Sequence, residues 1–407
     1  MVPAPLRDSQ ATAPMSEKQA LAYRSDQQAL LIALLVFVSG ATNAAIVPFM
    51  GFYIVEVLGH APVTIGLYSL SAMTISILSS RLYGEWVDRG ARIRPLLFAC
   101  AFAAFLASAA ALVGSLPLLV LVTAPGMGLT NAASTLVFSY GRHYGRMQGL
   151  EPVGYNAFLR MTVSLAWMVM PAAAYLVADF AGARFVFVNA MLIVLIWVAI
   201  AMAVIPRGQT CPMEKRDQDA PEGRNVGLWL AAGISFCLSF AHSLCASALP
   251  VFFVREAGLP AYAPGLSLSV KCAMEVIFIL VAPWMARRIS PRLILGGATV
   301  LAIIAFNIIA SVHSVPMMLV GAALEGSYYG LFAGTCLSFV QSFSRGRLAR
   351  ATALYMNSMF LAGLFAVPAM GLIAQLHNFG MAIRLASFGA GASLLLLFLT
   401  RHRRTDT

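Results

Sequence analysis

Charged residues are scarce in this sequence. Its 407 residues include 27 lysines and arginines and 16 aspartates and glutamates, so that 11% carry a charge, against roughly 25% in a typical soluble domain. Apolar residues make up 60% of the chain, and long polar stretches are few. This composition excludes an ordinary soluble protein and predicts one that resides in a lipid bilayer.

Signatures of covalent or metal chemistry are also missing. The six cysteines form no Cys-x-x-Cys pair and five lie in apolar segments, so we predict that they are reduced and buried. There is no paired-carboxylate motif, metal-ligating cluster, Ser/His/Asp grouping or phosphate-binding loop. We therefore expect neither an enzyme nor a bound cofactor or metal. Residues 1–28 lack an Ala-x-Ala-like cleavage site and are predicted to be a cytoplasmic tail.

Long apolar segments are what the sequence does contain. Twelve of them follow one another from 29–55 to 382–400, each close to the roughly 20 residues that a helix needs to span a bilayer. Strands of a transmembrane barrel alternate in polarity and are only about ten residues long, so a barrel is excluded. Lipid offers the backbone no hydrogen-bond partners, and each segment is therefore predicted to be a helix. We predict an all-α membrane protein with twelve transmembrane helices.

Basic residues occur in short clusters between the apolar segments. With the N-terminus in the cytoplasm, 22 of the 27 lysines and arginines fall on the cytoplasmic side and only Arg184, Arg255 and Arg384 fall outside. The positive-inside rule predicts this distribution. We expect a multi-pass protein of a bacterial inner membrane with both termini cytoplasmic. Because the clusters form no single basic face, the net charge of +11 does not indicate nucleic-acid binding.

One hydrophilic stretch divides the segments six and six. Residues 206–225 are rich in charge and are predicted to be a cytoplasmic linker. The linker joins an N-terminal six-helix bundle, 29–205, to a C-terminal six-helix bundle, 226–400, and residues 401–407 form a second cytoplasmic tail.

The two bundles repeat each other. A shift of 197 residues aligns Arg160 and Pro171 with Asn357 and Pro368, and a shift of 199 aligns Gly66 with Gly265. Two related six-helix units are typical of a secondary transporter.

Four ionisable residues lie within the predicted spans: Arg160, Lys271, Glu275 and Glu325. A charge at this depth costs roughly 2.5 to 3.5 kcal/mol on insertion scales. Lys271 and Glu275, at i and i+4, either neutralise each other or contact substrate. Glu325 pairs across helices, binds a substrate cation or carries a proton, and Arg160 needs a carboxylate, carbonyls, water or a substrate. We expect the four to converge on one central cleft, with Glu275 and Glu325 as proton-coupling candidates.

The third, sixth, ninth and twelfth helices contain none of these charges. In a carrier built from two repeats they are predicted to be peripheral, while the other eight enclose the path.

Neutral polar residues on the path helices extend the candidate substrate site. Amides, phenols and an indole suit sugars, which offer hydroxyl groups to hydrogen-bond and C–H faces to stack. Helix packing is the alternative for each of them. Together with Arg160 and Lys271, the candidates are Asn43, Asn131, Trp167, His242, Tyr328, Tyr329 and Asn357.

The turn between the second and third helices resembles the G-x-x-x-D-R-x-G-x-R signature of the major facilitator superfamily. It is one residue shorter, because Gly90 directly follows Arg89. Gly84 is expected to permit a close helix approach, and Asp88 to meet helix N-terminal amides or a basic partner. Arg89 and Arg92 are expected to hold a cytoplasmic gate. A merely basic loop is the alternative. The resemblance implies the major facilitator fold, with two six-helix bundles.

Short stretches on five helices, together with Asn131 on the fourth helix, resemble the bacterial sugar efflux transporter family. That resemblance implies export of sugars, glycosides or related molecules driven by inward proton flow, and it places Asn131, Arg160, Glu275 and Asn357 at shared positions. Lys271 and Glu325 depart from the small or neutral residues expected there. The stretches are 65–68, 158–167, 274–275, 330–334 and 357–358.

We hypothesise a monomeric carrier that alternates access to a site in the bilayer midplane and exports small polar metabolites in exchange for protons. The alternative within transport is an exporter of anionic compounds, such as carboxylate siderophores or amphipathic drugs, because Arg160 and Lys271 would offer two cations to one cavity. A membrane receptor without transport, or a membrane enzyme, is the alternative from another class and has no supporting motif.

Overall fold

The computed structural model describes residues 27–150, 152–211, 225–344 and 348–400. The predicted tails, apart from residues 27 and 28, and most of the predicted linker lie outside this part of the chain. Across the described ranges the chain forms twelve long helices and no strand, which confirms the predicted fold class. In chain order they are α1 (Gln27–Phe52), α2 (Val63–Asp88), α3 (Ile93–Val113), α4 (Ala124–Met147), α5 (Pro152–Ala181), α6 (Ala183–Val204), α7 (Val226–Val251), α8 (Ala263–Ala286), α9 (Pro291–Ile309), α10 (Val315–Gln341), α11 (Leu348–Leu376) and α12 (Phe379–Leu399).

Length and composition qualify eleven of the described helices to cross a membrane. The remaining long helix, α10, carries Glu325, Tyr328 and Tyr329 near its centre. These polar side chains lower its mean hydropathy. Ionisable residues within a spanning helix usually face the interior of a bundle or a water-filled cavity, so α10 is expected to line such a space. The chain is thus a multi-pass membrane protein.

Spanning helices joined by short turns must alternate in direction. We call the side on which α1 begins and α2 ends the inner side, and the opposite side, where α1 ends and α2 begins, the outer side. Continuous π-helical turns extend α1 and α7 on the outer side, at Tyr53–Val57 and Phe252–Glu256. The first residues of these two turns are 199 positions apart, the same shift that relates Gly66 to Gly265.

Helix contacts repeat between the two bundles. In the N-terminal bundle α1 packs on α5 and α6, α2 on α4, and α3 on α4 and α6. The C-terminal bundle repeats every one of these contacts: α7 packs on α11 and α12, α8 on α10, and α9 on α10 and α12. The bundles meet each other mainly through α2 with α11 and α5 with α8. The internal repeat predicted from sequence is therefore a repeat of packing.

Glycine and proline make the contacts between the bundles on the outer side. A Cβ atom added to Gly66 would lie 2.8 Å from Cα of Pro368, and one added to Gly265 would lie 2.8 Å from Cα of Ala172 and 3.0 Å from the carbonyl oxygen of Pro171. Only glycine permits this approach of two backbones. The aligned residues of the repeat thus meet across the bundles, glycine against the proline segment of the other half.

An ion pair also connects the two bundles on the outer side. Arg255 Nε lies 3.8 Å from Glu56 Oε1, and the two residues, from the π-helical turns after α7 and α1, are again 199 positions apart. With the two glycine contacts, this pair joins the bundles at their outer ends.

The motif between α2 and α3, on the inner side, differs from its prediction. Among the described residues, no atom outside its own helix lies within 4 Å of a Cβ added to Gly84, so the predicted close approach is wrong for this part of the chain. Arg89 forms an ion pair with Glu85, one turn earlier in the chain, at 3.4 Å. The backbone of Arg92 forms an isolated antiparallel β-bridge with the backbone of Thr210, which follows α6. Gly90 has φ of +85°, which explains a glycine at this turn. The side chain of Asp88 lies outside the described residues.

Candidate functional site

A cavity of about 660 Å³ lies between the bundles. All eight predicted path helices line it, and none of its described lining residues comes from α3, α6, α9 or α12. The prediction of which helices enclose the path is confirmed. The lining residues include Met50 (α1), Tyr68, Met73 and Ser76 (α2), Met127 and Asn131 (α4), Ser164 and Trp167 (α5), His242 and Ser243 (α7), Lys271 and Glu275 (α8), Glu325 and Tyr329 (α10), and Phe360 and Val367 (α11).

Lys271 and Glu275 form an ion pair on the cavity wall. Lys271 Nζ donates to Glu275 Oε2 at 2.6 Å, and the same ammonium group lies 4.3 Å from the ring centroid of Tyr329. Their i, i+4 spacing places them on one face of α8, as predicted. Lys271 is buried, so the carboxylate and the ring replace the water that its charge loses.

Glycines of α10 bring this pair against the next charged helix. A Cβ added to Gly330 would lie 2.5 Å from the carbonyl oxygen of Glu275, and Gly326 is in equally close contact with the carbonyl of Lys271. One turn further, a Cβ added to Gly334 would lie 2.7 Å from the Cβ of Ala282 and 3.3 Å from the carbonyl oxygen of Ile279. This i, i+4, i+8 row lets α10 lie directly on the turns of α8 that carry the charges. Glu325 therefore lies next to the Lys271 turn.

Glu325 and His242 form the second half of the charged cluster. Glu325 Oε1 lies 3.7 Å from Nδ1 of His242, and only 3% of its side chain is exposed. The same Nδ1 is 2.9 Å from the hydroxyl of Tyr328, and the His242 ring stacks on Tyr329 at 3.9 Å between centroids. Tyr329 thus has the imidazole and the ammonium group of Lys271 against its ring, and it links the two halves of the cluster.

Charge is not balanced among the described residues of the cluster. It holds two carboxyl groups and one lysine, and the lysine is hydrogen-bonded to Glu275. The ion-pair partner of Glu325 is a histidine whose nearer nitrogen already contacts Tyr328. An ionised carboxylate buried without a compensating donor is costly. A proton shared by Glu325 and His242 would remove this cost.

The N-terminal bundle presents a neutral wall to the same cavity. Asn131 Nδ2 donates to Ser76 Oγ at 3.0 Å, and Asn131 Oδ1 accepts from Asn43 Nδ2 at 3.3 Å. Trp167 lines the cavity on α5. The hydroxyl of Tyr68 is buried and has no hydrogen-bond partner among the described residues. This wall offers an amide, hydroxyls and an indole, which is chemistry suited to a neutral polyol.

Four of the predicted residues do not line the cavity: Asn43, Tyr328, Arg160 and Asn357. Asn43 and Tyr328 lie behind the wall, where they hold Asn131 and His242 in place. Arg160 does not line the cavity. It is exposed on α5 at i−4 and i−7 from Ser164 and Trp167, so it shares their face about one turn nearer the inner side. The expectation that all four ionisable residues meet is wrong for Arg160.

Asn357 lies in a separate groove on the inner side, between α7 and α11. It does not contact the central cavity in this structure, although its helix does. The reason is its register, since Asn357 lies one turn nearer the inner side than the lining residue Phe360.

The cavity also contains residues that the sequence reasoning missed. Met50, Met73 and Met127 form an apolar surface on the N-terminal side, beside Tyr68 and Ser76. Their helices were predicted to line the path, but the sequence did not indicate which face of each helix does so. Methionine and serine are common on any face of a spanning helix. The row Tyr68, Ala72, Ser76 at four-residue spacing would have indicated the face of α2.

Comparison with known proteins relates these features to transporters. The model of the MFS_1 like family matches residues 30–371. Sugar efflux transporter B of Salmonella typhimurium is 22% identical over 84% of this chain and 88% of its own length. Sugar efflux transporter C of Escherichia coli is 22% identical over 90% of this chain and 94% of its own length.

Solved structures with similar folds are also membrane transporters. A mutant of the nucleoside transporter NupG superimposes with a TM-score of 0.76 at 14% identity, covering 92% of this chain and 99% of that one. A bacterial homologue of the iron transporter ferroportin, in an inward-facing state, superimposes with a TM-score of 0.67 at 17% identity, covering 91% and 97%. At these identities the likeness establishes the shared fold.

Proposed function

The chain belongs to the MFS_1 like family of transporters, and we propose that it exports sugars, glycosides or similar small polar metabolites in exchange for protons. In this proposal the protein acts as a monomer in a bacterial inner membrane, with its termini and the inner side in the cytoplasm. Substrate enters the cavity from the cytoplasm while the outer contacts are closed, and leaves after the bundles rock about the midplane.

The observation that carries the proton coupling is the environment of Glu325. Its carboxyl group is almost fully buried, faces the cavity and has a histidine, not a lysine, as its ion-pair partner. Losing or gaining a proton there changes the charge of the cavity by one unit. Such a change alters the relative free energies of the inward-open and outward-open states, and coupling requires this difference.

The neutral wall and the similarity to sugar efflux transporters support a sugar-like substrate. Asn131 and Ser76 offer donors and acceptors, and Trp167 offers an aromatic face. The proposal of an anionic substrate has less support, because Lys271 is the one lysine or arginine among the described lining residues and is already paired with Glu275.

Transport in proteoliposomes tests this function. Purified protein is reconstituted with radiolabelled lactose inside, and efflux is followed with and without a pH gradient that is acidic on the receiving side. We expect the gradient to drive lactose against its concentration difference. Lactose movement that is absent, or that ignores the gradient in the wild type, would contradict the proposal.

A further inference from the structure

The groove between α7 and α11 on the inner side has a volume of about 160 Å³. It combines one aromatic, one cationic and one amide side chain with a short apolar floor. Its described lining residues are Leu228, Trp229, Arg350, Ala353, Leu354 and Asn357.

Helix geometry shows that this groove faces the same way as the cavity. Asn357 precedes the cavity residue Phe360 by three positions and Val367 by ten, so the three share one face of α11. Trp229 precedes Ser243 by fourteen positions, which is close to four full turns of α7. At about 1.5 Å per residue, Asn357 lies only about 4.5 Å along the axis from Phe360. The groove is therefore separate from the cavity but lies close to it on the inner side, on the face of α11 that also carries cavity residues.

The side chains of the groove suit a glycosyl unit. Trp229 is 57% exposed, and an exposed indole offers a flat surface to the C–H face of a pyranose ring. The amide of Asn357 offers both a hydrogen-bond donor and an acceptor to ring hydroxyls. A neutral, hydroxyl-rich ring can therefore stack on Trp229 and hydrogen-bond to Asn357 at the same time.

The N-terminal bundle has no equivalent groove chemistry in its sequence. With the repeat shifts of 199 and 197, Trp229 corresponds to Leu30 and Arg350 to Val153, while Asn357 corresponds to Arg160. The aromatic, amide and cationic side chains of the groove are thus not repeated at the aligned positions of the N-terminal sequence.

We propose that the groove is a loading subsite, which captures a neutral glycosyl unit on the inner side before it passes to the central cavity. This inference rests on the proposed export of sugars. The contacts of Gly66 and Gly265 hold the bundles together on the outer side. A substrate can therefore enter the cavity from the inner side, where the groove lies.

Kinetics in inverted vesicles, where the inner side faces the medium, test the subsite. For Trp229→Ala and Asn357→Ala we expect the KM for lactose to rise about three- to tenfold, as loss of an aromatic or hydrogen-bonded contact implies. The maximal rate and the response to the pH gradient should not change, since Glu325 is untouched. Trp229→Phe, which keeps a stacking ring, should recover most of the wild-type KM.

Trp284→Ala is the matched control, because Trp284 is also an exposed indole near the inner end of a helix but lines neither the groove nor the cavity among the described residues. An unchanged KM in both alanine variants, with normal wild-type transport, overturns the subsite and leaves the proposed function standing. Absence of wild-type lactose transport instead contradicts the proposed function.

Fluorescence separates a sugar from a lipid headgroup in the groove. The signal of Trp229 is the difference between the wild type and Trp229→Phe, measured in nanodiscs of phosphatidylethanolamine with and without phosphatidylglycerol. We expect this difference signal to respond to lactose in both lipid compositions. A response to phosphatidylglycerol and not to lactose would assign the groove to a lipid headgroup and overturn the proposal.

Discussion

The two bundles share a scaffold but not a chemistry. Their helix contacts repeat one for one, and each closes the outer side with a glycine against the proline segment of the other. In the cavity, however, the ionisable groups Lys271, Glu275, Glu325 and His242 all come from the C-terminal bundle, while the N-terminal bundle supplies amide, hydroxyl, indole and thioether groups. The comparison indicates that packing was retained in both repeats while the side-chain chemistry of the cavity diverged. Under the proposed function, the C-terminal bundle would bind the proton and the N-terminal bundle would recognise the neutral substrate.

The strongest test of this division is Glu325→Gln, compared with Asn131→Ala. Glutamine keeps the shape of the side chain but cannot bind and release a proton, so we expect proton-driven lactose accumulation to be lost. Downhill exchange of lactose should persist. In the wild type, export should speed up as the outer side is made more acidic, because protons enter from there.

Asn131→Ala should leave the dependence on the pH gradient intact. Loss of its hydrogen bonds is worth about 1 kcal/mol, which we expect to appear as a several-fold higher KM for lactose. Should Asn131→Ala abolish the pH dependence, or Glu325→Gln preserve it, the two bundles would not have separate roles.

The shared scaffold predicts matched effects at its repeated glycines. Gly66→Leu and Gly265→Leu each force a side chain into a backbone contact of 2.8 Å, and overpacking of this kind costs typically about 1 to 3 kcal/mol. Both variants should therefore favour the outward-open state and lower transport to a similar degree. Labelling of a cysteine introduced at Ser69, near the closed end of the cavity, by a membrane-impermeant thiol reagent from the outer side measures the opening.

Gly84→Ala is the control for the glycine variants, since an added Cβ meets nothing within 4 Å there. Equal labelling of all three glycine variants and the parent would show that the Gly66 and Gly265 contacts do not close the outer side.

The Lys271–Glu275 pair tests whether charge in the C-terminal bundle is structural as well as functional. Removing one partner of a buried pair costs about 3 to 5 kcal/mol, so Lys271→Met or Glu275→Gln alone should lower the thermal midpoint clearly. The double variant should recover much of that loss, because no unpaired charge remains. Additive losses measured by thermal unfolding in detergent would argue that the two side chains do not interact.

The smallest effect is expected for the outer ion pair. Arg255 is more than half exposed in its side chain, at 55%, and such pairs contribute about 0 to 1 kcal/mol. Glu56→Gln should therefore shift the inward–outward balance only slightly, and less so at high salt. A thiol-labelling change as large as that of Gly265→Leu would show that the ion pair closes the outer side as strongly as the glycine contacts do.

Sequence reasoning predicted the scaffold and part of the site. Spans, their number and the path helices follow from apolar length and from the placement of charge, and Lys271 and Glu275 follow from helical spacing. Arg160 and Asn357 were misplaced because each lies about one turn nearer the inner side than the lining residues of its helix, and how far the cavity extends along a helix depends on packing that local patterns do not encode. The contact of Glu325 with His242 joins α10 to α7, and the approach of α10 to α8 at Gly326 and Gly330 brings Glu325 next to the Lys271 turn. Both contacts between helices could be recognised only after the packing was known.

Substrate-induced proton release tests the central claim most directly. Purified protein in weakly buffered detergent solution, with a pH indicator, is mixed with saturating lactose. We expect protons to be released by the wild type and by Asn131→Ala, and none by Glu325→Gln. Release of the same number of protons by Glu325→Gln would contradict the assignment of the coupling proton to the charged cluster of the C-terminal bundle around Glu325.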